Sequence, residues 1–383
     1  MTRFRGLTWD HPRGRTALEE AAGRWRHHDD PLDLAWETHS LEGFESSPID
    51  ELADRYDLIV LDHPHLGDAV KHQSLQPLDD LFGAADRERW AREAIGPTFR
   101  SYVYDDQLWA LPLDTAAQVA VIAPNVDEPH PTTWDEVESF AINNRVALSL
   151  AGPHAFLSFA SLCVAVGEEP VTGRDQLVVS RSVGAEAAER LKRIASMCPP
   201  GSGELNPIEL LSEMAEHQLA DYCPLVFGYV NYADTARARR LTFVDAPSVA
   251  AGGRPGSTLG GTGIAISRQC DPSSQLIAHL RWLLHPNTQR EIIPHFAGQP
   301  SMRSAWTDAR VNQLSGDFYS NTARTLDSSW IRPRYSGFIG FQSEASARIR
   351  SMLAGDIAVH ECLDQLDRLY AESHHDVPGG QIA

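Results

Sequence analysis

Hydrophobic and polar positions in the first 61 residues follow a pattern typical of strands that alternate with helices. Apolar runs that end in polar turns predict strands, and Ala17, Ala21 and Trp25 recur at helical spacing. The predicted elements are strands over 4–9, 32–37 and 57–61, and helices over 14–29 and 49–55. This β-α-β-α-β order predicts parallel strands joined by crossover helices, and therefore an α/β fold.

The rest of the chain continues the α/β pattern and then becomes mainly helical. In DQLWALPLDTAAQVAVIAPN, which begins at Asp106, two extended runs flank Pro112. Thr133 with Glu136 three residues later predicts a capping box that starts a helix over 131–141. The other predicted elements are strands over 146–150, 222–228 and 241–245, a glycine-rich connector and strand within 252–267, and helices over 155–166, 184–196, 207–216, 274–284, 287–295, 308–314 and 342–370.

Length and charge narrow the classes of function. A chain of 383 residues is long for one hydrophobic core and suits two α/β lobes. The net charge of −19 repels phosphate backbones and anionic lipid, so we expect neither a nucleic-acid partner nor a membrane-surface partner. Five cysteines without regular spacing argue against a disulfide framework.

The amino terminus carries no pattern of an export signal. MTRFRGLTWDHPRG has no apolar core region, and no stretch approaches the roughly 20 apolar residues that span a bilayer. We therefore expect a soluble chain without membrane insertion. Its expected location is cytoplasmic as the sequence stands, or periplasmic or extracellular if a leader peptide has been removed.

Several known catalytic and nucleotide-binding motifs do not occur in the sequence. The segment GGRPGSTLGGTG lacks the Gly-Lys-Ser/Thr ending of a P-loop, and neither G-x-S-x-G nor HExxH occurs. The glycines of this segment precede a strand, whereas a dinucleotide fingerprint joins a strand to a helix. We predict no cofactor, with a metal ion left open.

Five segments in order resemble the extracellular solute-binding proteins of ABC importers, the sugar-type family 1. They are QLWALPLDTAAQVAVIAPN, PTTWDEV, STLGGTGIAIS, FAGQPSMRSAW and WIRPRYSGFIGFQSEASARIRSMLAG. The resemblance implies a type II periplasmic-binding-protein-like fold, with two α/β lobes joined by a hinge and a ligand cleft between them. Lobe 1 would hold residues 1–113 and 262–383, lobe 2 would be the inserted block 114–261, and the hinge would lie near 112–118 and 258–263.

The candidate ligand-binding residues follow strands or lie in the hinge segments. Ligands of open α/β sheets bind beyond the carboxyl ends of the strands, where loops carry function. The strand ends supply Trp9, Asp10, His11, Asp62, His63, His65, Phe227, Gly228, Tyr229 and Tyr232. The resemblance adds Asp114, Thr115, Gln118, Gly260, Gly261, Thr262, Arg332 and Arg334.

Three interpretations of the Asp62-His63-Pro64-His65 run stay open. Asp62 could cap the next helix while the histidines bind backbone groups. Asp62 and a histidine could instead bind the hydroxyl groups of a polar ligand. In the third interpretation, His11, His63 and His65 with nearby aspartates bind a metal or act as acid and base.

The aromatic and arginine candidates each have a structural alternative. Trp9, Tyr229 and Tyr232 offer faces for sugars or flat rings, but Trp9 equally suits the core. Arg332 and Arg334 flank Pro333 and would favour a carboxylate or phosphate, although ion pairs within so acidic a chain would also occupy them.

The function that these patterns favour is binding of a small polar ligand by cleft closure, as in ABC-type uptake. A sugar, a sugar acid or a hydroxylated organic acid would fit, and an ABC permease is the candidate partner. The alternative is a cytoplasmic enzyme on the same scaffold, with His11, Asp62, His63 and His65 in acid–base or metal-assisted chemistry.

Overall fold

The computed structural model divides into two compact α/β units, and each unit is built from separate stretches of the chain. The structure describes residues 3–27, 31–124, 126, 129–171, 173 and 177–374. Unit 1 consists of the described residues of Met1–Thr115, Gly260–Asn312 and Arg334–Ser336. Unit 2 consists of the described residues of Ala116–Leu259, Gln313–Pro333 and Gly337–Ala383.

The described part of the chain up to residue 122 contains six strands and six α-helices. The strands are β1 (Arg3–Trp9), β2 (Asp33–His39), β3 (Leu58–Leu61), β4 (Val103–Tyr104), β5 (Gln107–Leu108) and β6 (Leu111–Ile122). The helices are α1 (Pro12–Trp25), α2 (Leu41–Ser46), α3 (Ile49–Ala53), α4 (Leu66–Lys71), α5 (Ala84–Glu93) and α6 (Thr98–Ser101), with 3₁₀ turns at His63–His65 and Leu78–Asp80.

The remaining elements are mostly helices. Up to residue 266 they are α7 (Trp134–Phe140), α8 (His154–Val166), α9 (Arg181–Met197), α10 (Pro207–Ser212), a π-helical turn (Glu213–His217), β7 (Tyr222–Phe227), β8 (Thr242–Val244) and β9 (Leu259–Ile266). After it come α11 (Ser274–Leu283), α12 (Pro286–Glu291), α13 (Arg303–Trp306), α14 (Ala309–Leu314), α15 (Phe318–Asp327), α16 (Phe338–Ala354) and α17 (Val359–Ser373). Further 3₁₀ turns lie at Ser202–Glu204, Val230–Tyr232 and Pro294–Phe296.

The sheet of unit 1 has the parallel strands that the sequence predicts. β1 pairs in parallel with β2 along its whole length, from Arg3↔Asp33 to Trp9↔His39, and it also pairs in parallel with β3. β9 is antiparallel to β3. The carboxyl ends of β1, β2 and β3 therefore meet at one edge of the sheet, which we call the carboxyl edge of unit 1.

Unit 2 combines a small antiparallel sheet with a helical layer. β6 pairs with β7 and with β8. α8 is buried along nearly its whole length, as its run of apolar residues predicts, and Ser346 of α16 accepts a hydrogen bond from the Phe156 amide of α8 at 3.0 Å. Asp367 of α17 accepts another from the Val178 amide at 2.8 Å. These contacts place the two carboxyl-terminal helices in unit 2.

Some predicted elements differ from the structure. Residues 146–150 are buried as predicted but form only a single bridge, at Val146, so the predicted strand is wrong. The single helix predicted over 342–370 is two helices, because the chain turns at Gly355 with a φ of +87°. Several short helices and also α5 and α15 have no counterpart among the predicted elements. Residues 313–333 and 337–374, which the prediction places in lobe 1, lie in unit 2.

Helix length and the cysteine thiols complete the description of the fold. In the stretches that the structure describes, no helix is long and apolar enough to cross a membrane. All five cysteines lie in described stretches and are free thiols, and burial raises the pKa of Cys198, Cys223, Cys270 and Cys362 to about 12.

Candidate functional site

At the end of β1, His11 acts as the amino-terminal cap of α1. Its Nδ1 accepts a hydrogen bond from the Arg13 amide at 3.1 Å. Burial and, to a smaller extent, the positive charge of Arg13 lower the pKa of His11 to about 4. The imidazole is therefore neutral at physiological pH. Asp10, next to it, is exposed and pairs with Arg15 at 2.7 Å.

The ring of Trp9 packs inside unit 1. The residue is 3% exposed, and its ring lies 4.9 Å from the ring of Phe44. A side chain at Gly14 would overlap the indole, and the Arg13 guanidinium lies 5.8 Å from the ring centroid. These contacts make Trp9 a packing residue in its own unit, which is the structural alternative that the sequence left open.

Beneath this turn, Arg13 and Asp114 form a buried ion pair. Each side chain is 4% exposed. Arg13 Nε donates to Asp114 Oδ2 at 3.0 Å, and Arg13 Nη2 donates to Asp114 Oδ1. The Gln299 amide also donates to Asp114 Oδ2, at 3.1 Å. Both oxygens of the Asp114 carboxylate, a predicted ligand-binding group, are thus engaged within unit 1.

At the end of β3, Asp62 caps the short 3₁₀ turn that contains both histidines. Asp62 Oδ1 accepts a hydrogen bond from the His63 amide at 2.9 Å and lies 3.0 Å from His63 Nδ1. The His63 ring is fully buried and meets Tyr102 edge-on, whereas the Asp62 side chain is 18% exposed. His65 is 5% exposed. Across the described ranges, no group of three or more His, Cys, Asp or Glu side chains is arranged to hold a metal ion.

The hinge residues that fall in unit 1 are held by backbone and hydroxyl groups. The Thr115 amide donates to the Gln299 carbonyl at 3.1 Å, and the Thr115 hydroxyl lies 2.8 Å from that of Thr98. Gly260, Gly261 and Thr262 belong to β9, and Gly261 has a φ of +108°. Because L side chains rarely adopt that conformation, glycine is required at this position.

Each of the two predicted arginines binds groups of its own unit. In unit 1, Arg334 Nη1 donates to the carbonyl oxygens of Arg100 at 2.8 Å and Val103 at 2.6 Å, beyond the end of α6. Burial lowers the pKa of Arg334 to about 10. In unit 2, Arg332 Nε donates to the Leu259 carbonyl at 3.3 Å.

Gln118 is part of a buried hydrogen-bond network in unit 2. Its Oε1 accepts from the Ser161 hydroxyl at 2.6 Å, and its carbonyl accepts from the Ser257 hydroxyl at 2.6 Å. The residue is 1% exposed. Gln118 therefore ties β6 to α8 and to the segment before β9.

The loop after β7 carries the aromatic candidates of unit 2. Gly228 allows a close approach to Phe318, because a Cβ there would lie 2.9 Å from that ring. The Tyr232 hydroxyl lies 2.7 Å from the Ser212 hydroxyl and donates to the Ile208 carbonyl at 3.1 Å. Tyr229 is 5% exposed. Phe227, the last residue of β7, is half-buried and its ring lies 5.9 Å from that of His154.

Two further polar residues, Arg13 and Asn231, lie among these candidates. Arg13 joins the turn after β1 to Asp114, a residue 101 positions later, so local spacing gives no signal for the pair. Asn231 follows Tyr229 by two positions, and its side-chain oxygen is buried with no hydrogen-bond partner in the described ranges. Asn231 lies in the same loop after β7 as Tyr229 and Tyr232, where a polar residue that follows a strand is itself a signal of a binding role.

Comparison with known proteins finds similarity in structure alone. No protein-family profile and no curated protein matches the sequence. A ribitol-bound ABC transporter solute-binding protein from Agrobacterium radiobacter K84 has a TM-score of 0.78 and 20% identity, covering 97% of this chain and 98% of its own.

Two further solved proteins have a similar fold. The GacH receptor of Streptomyces glaucescens, solved unliganded and with acarbose, has a TM-score of 0.79 and 12% identity over 98% of both chains. The cyclic alpha-maltosyl-1,6-maltose binding protein of Arthrobacter globiformis has a TM-score of 0.78 and 14% identity, covering 97% of this chain and 98% of its own. The fold is therefore the periplasmic-binding-protein-like fold of ABC transporter solute-binding proteins.

Proposed function

We propose that this chain is a solute-binding protein that captures a small, neutral or weakly charged polyhydroxylated molecule and releases it unchanged. One observation carries the proposal: the fold match extends over nearly the full length of both chains in proteins described with ribitol, acarbose or a cyclic maltosyl-maltose. In an ABC-type uptake system, such a protein would deliver its ligand to a permease.

The chain offers suitable groups in each unit. In unit 1, Asp62 combines partial exposure with a position at the carboxyl edge, and a carboxylate accepts hydrogen bonds from hydroxyl groups. In unit 2, Tyr229 and Asn231 supply an aromatic ring and an amide in the loop after β7. Aromatic rings pack against the apolar faces of sugars, while amides and carboxylates select their hydroxyl groups.

The proposal is tested by a panel of neutral sugars and polyols in thermal-shift assays, followed by calorimetric titration of the ligands that raise the melting temperature. We expect Asp62→Asn to weaken binding about tenfold, the equivalent of one hydrogen bond to a charged group, because the amide retains the cap but loses the charge. Tyr229→Leu should weaken binding about three- to tenfold through loss of the aromatic face.

Asp50→Asn is the matched control for these variants. Asp50 lies in α3, before β3, and its side chain is 45% exposed. Its substitution should leave affinity unchanged. Wild-type affinity in both Asp62→Asn and Tyr229→Leu would refute the assigned residues, and the absence of any ligand in the panel would refute the function.

A further inference from the structure

At the carboxyl edge of unit 1, the guanidinium of Arg13 is occupied by a carboxylate of the protein itself. Nε and Nη2 of Arg13 bind the two different oxygens of Asp114, with the Nε contact at 3.0 Å. This two-point, side-on pairing is the geometry with which arginine binds the carboxylate of a ligand. Asp114 therefore occupies the position on Arg13 that an anionic ligand would otherwise take.

The pair lies where this fold presents functional groups. Arg13 begins α1 directly after the turn at the end of β1, and its guanidinium lies 5.8 Å from the Trp9 ring. Asp114 reaches it from β6, next to the 299–300 segment to which it is also bonded. Ligands of open α/β sheets bind beyond the carboxyl ends of parallel strands, so this buried pair adjoins the edge at which the proposed ligand would bind.

The two arginines of the predicted ligand-binding segments are also engaged by the protein, through main-chain groups. Arg334 donates to main-chain carbonyl groups of unit 1, and Arg332 donates to a carbonyl group of unit 2. Asp62, whose Oδ1 accepts from the His63 amide, is a partly exposed carboxylate at the carboxyl edge. The net charge of −19 further disfavours the approach of anions.

We propose that Asp114 is a specificity-determining residue. By holding the guanidinium of Arg13, it makes the protein select neutral sugars or polyols over the corresponding sugar acids. This inference rests on the proposed function, because it assumes that ligand binds at the carboxyl edge of unit 1.

The first test compares matched ligands, ribitol with ribonate and maltose with maltobionate, by calorimetric titration of the full chain. The wild type should bind the neutral member at least about tenfold more tightly, as expected for an acid that meets no available cation. Asp114→Ala empties the carboxylate position and should shift the ratio of the two affinities at least about tenfold toward the acid.

Asp221→Ala provides a control with the same chemistry elsewhere. Asp221 pairs side-on with Arg145 in unit 2, through Nε at 3.3 Å and Nη2 at 2.8 Å. Its loss should leave the ratio unchanged. Asp114→Asn preserves the side-chain volume and part of the bonding to Arg13, so it should shift the ratio of the two affinities in the same direction as Asp114→Ala but by less. It replaces Asp114→Ala if that variant does not fold.

The second test does not depend on the identity of the ligand. Sodium acetate supplies the missing carboxylate, so it should raise the melting temperature of Asp114→Ala relative to sodium chloride at equal ionic strength. The wild type, in which Asp114 already pairs with Arg13, should show a smaller difference between the two salts than Asp114→Ala does. An acid-preferring wild type, an unchanged ratio in Asp114→Ala, or no acetate effect on that variant would overturn the inference. Failure of the wild type to bind either member of both pairs would count instead against the proposed function.

Discussion

The imidazole of His279 lies in the core of unit 1, between the rings of Trp25 at 5.3 Å and Trp282 at 5.9 Å. Neither of its nitrogens has a hydrogen-bond partner among the residues that the structure describes, and burial lowers its pKa to about 3. The unfolded chain binds this proton near pH 6.5. The free energy of unfolding should therefore fall as the pH is lowered from 6.5 toward 3, by about 1.4 kcal/mol per pH unit for one proton.

His279→Leu should remove this contribution. We expect the slope of the free energy of unfolding against pH, between pH 5 and 7, to be smaller in this variant by the equivalent of about one proton. The slope is measured by urea unfolding at closely spaced pH values. His11, with a pKa of about 4, should maintain part of the slope in that range. His130→Gln, at an exposed position, is the control and should keep the wild-type slope. A wild-type slope in His279→Leu would show that this histidine does not govern acid stability.

At the residue scale, the sequence predicted which polar side chains follow strands. It did not predict which of them form hydrogen bonds or ion pairs within the protein. Asp62 caps the 3₁₀ turn that bears His63, which is the Asp62 part of the first interpretation and does not decide among the three. The pairing of Asp114 with Arg13 depends on segments about a hundred positions apart along the chain. Pairings of that kind are set by tertiary packing, so periodicity and local spacing carry no information about them.

At the element scale, Gly67 of α4 is required for the packing of the short 334–336 segment in unit 1. A side chain at Gly67 would overlap the carbonyl oxygen of Arg334, and neighbouring Asp68 accepts a hydrogen bond from the Ser336 hydroxyl at 2.7 Å. Backbone atoms on both sides cannot yield without moving the segment. Gly67→Ala should therefore lower the free energy of unfolding by about 1–3 kcal/mol or more, measured by urea denaturation.

Gly23→Ala supplies the comparison within another helix of the same unit. Gly23 lies inside α1, and a side chain there would meet nothing within 4 Å. Since alanine is the better helix former, this variant should raise stability by about 0.5–1 kcal/mol. Equal effects of the two substitutions would mean that helix propensity, and not contact with Arg334, determines the outcome at Gly67.

A strong local signal predicted one helix correctly, whereas a run whose structure depends on distant partners was assigned wrongly. The capping box of α7 is confirmed, since Thr133 accepts from the Glu136 amide and the Glu136 carboxylate accepts from the Thr133 amide. Residues 146–150 show where an apolar pattern alone is insufficient to predict a strand. A buried apolar run looks the same in a strand and in an extended segment without a ladder, and only the available partners decide between them.

At the scale of the whole molecule, the sequence indicated two α/β lobes, and the structure has two α/β units. The predicted hinge segments, 112–118 and 258–263, include the positions where the chain leaves unit 1 after Thr115 and returns at Gly260. The carboxyl-terminal helices were assigned to lobe 1 but pack on α8 and α9 of unit 2. Their amphipathic pattern predicts a buried face without specifying which unit covers it.

The most direct test of the account is native mass spectrometry of the full chain incubated with neutral sugars and polyols. The account predicts a complex of one ligand per chain, from which the ligand is released with its original mass after prolonged incubation. It would be contradicted if no neutral sugar or polyol formed a complex, or if the released molecule had been chemically converted.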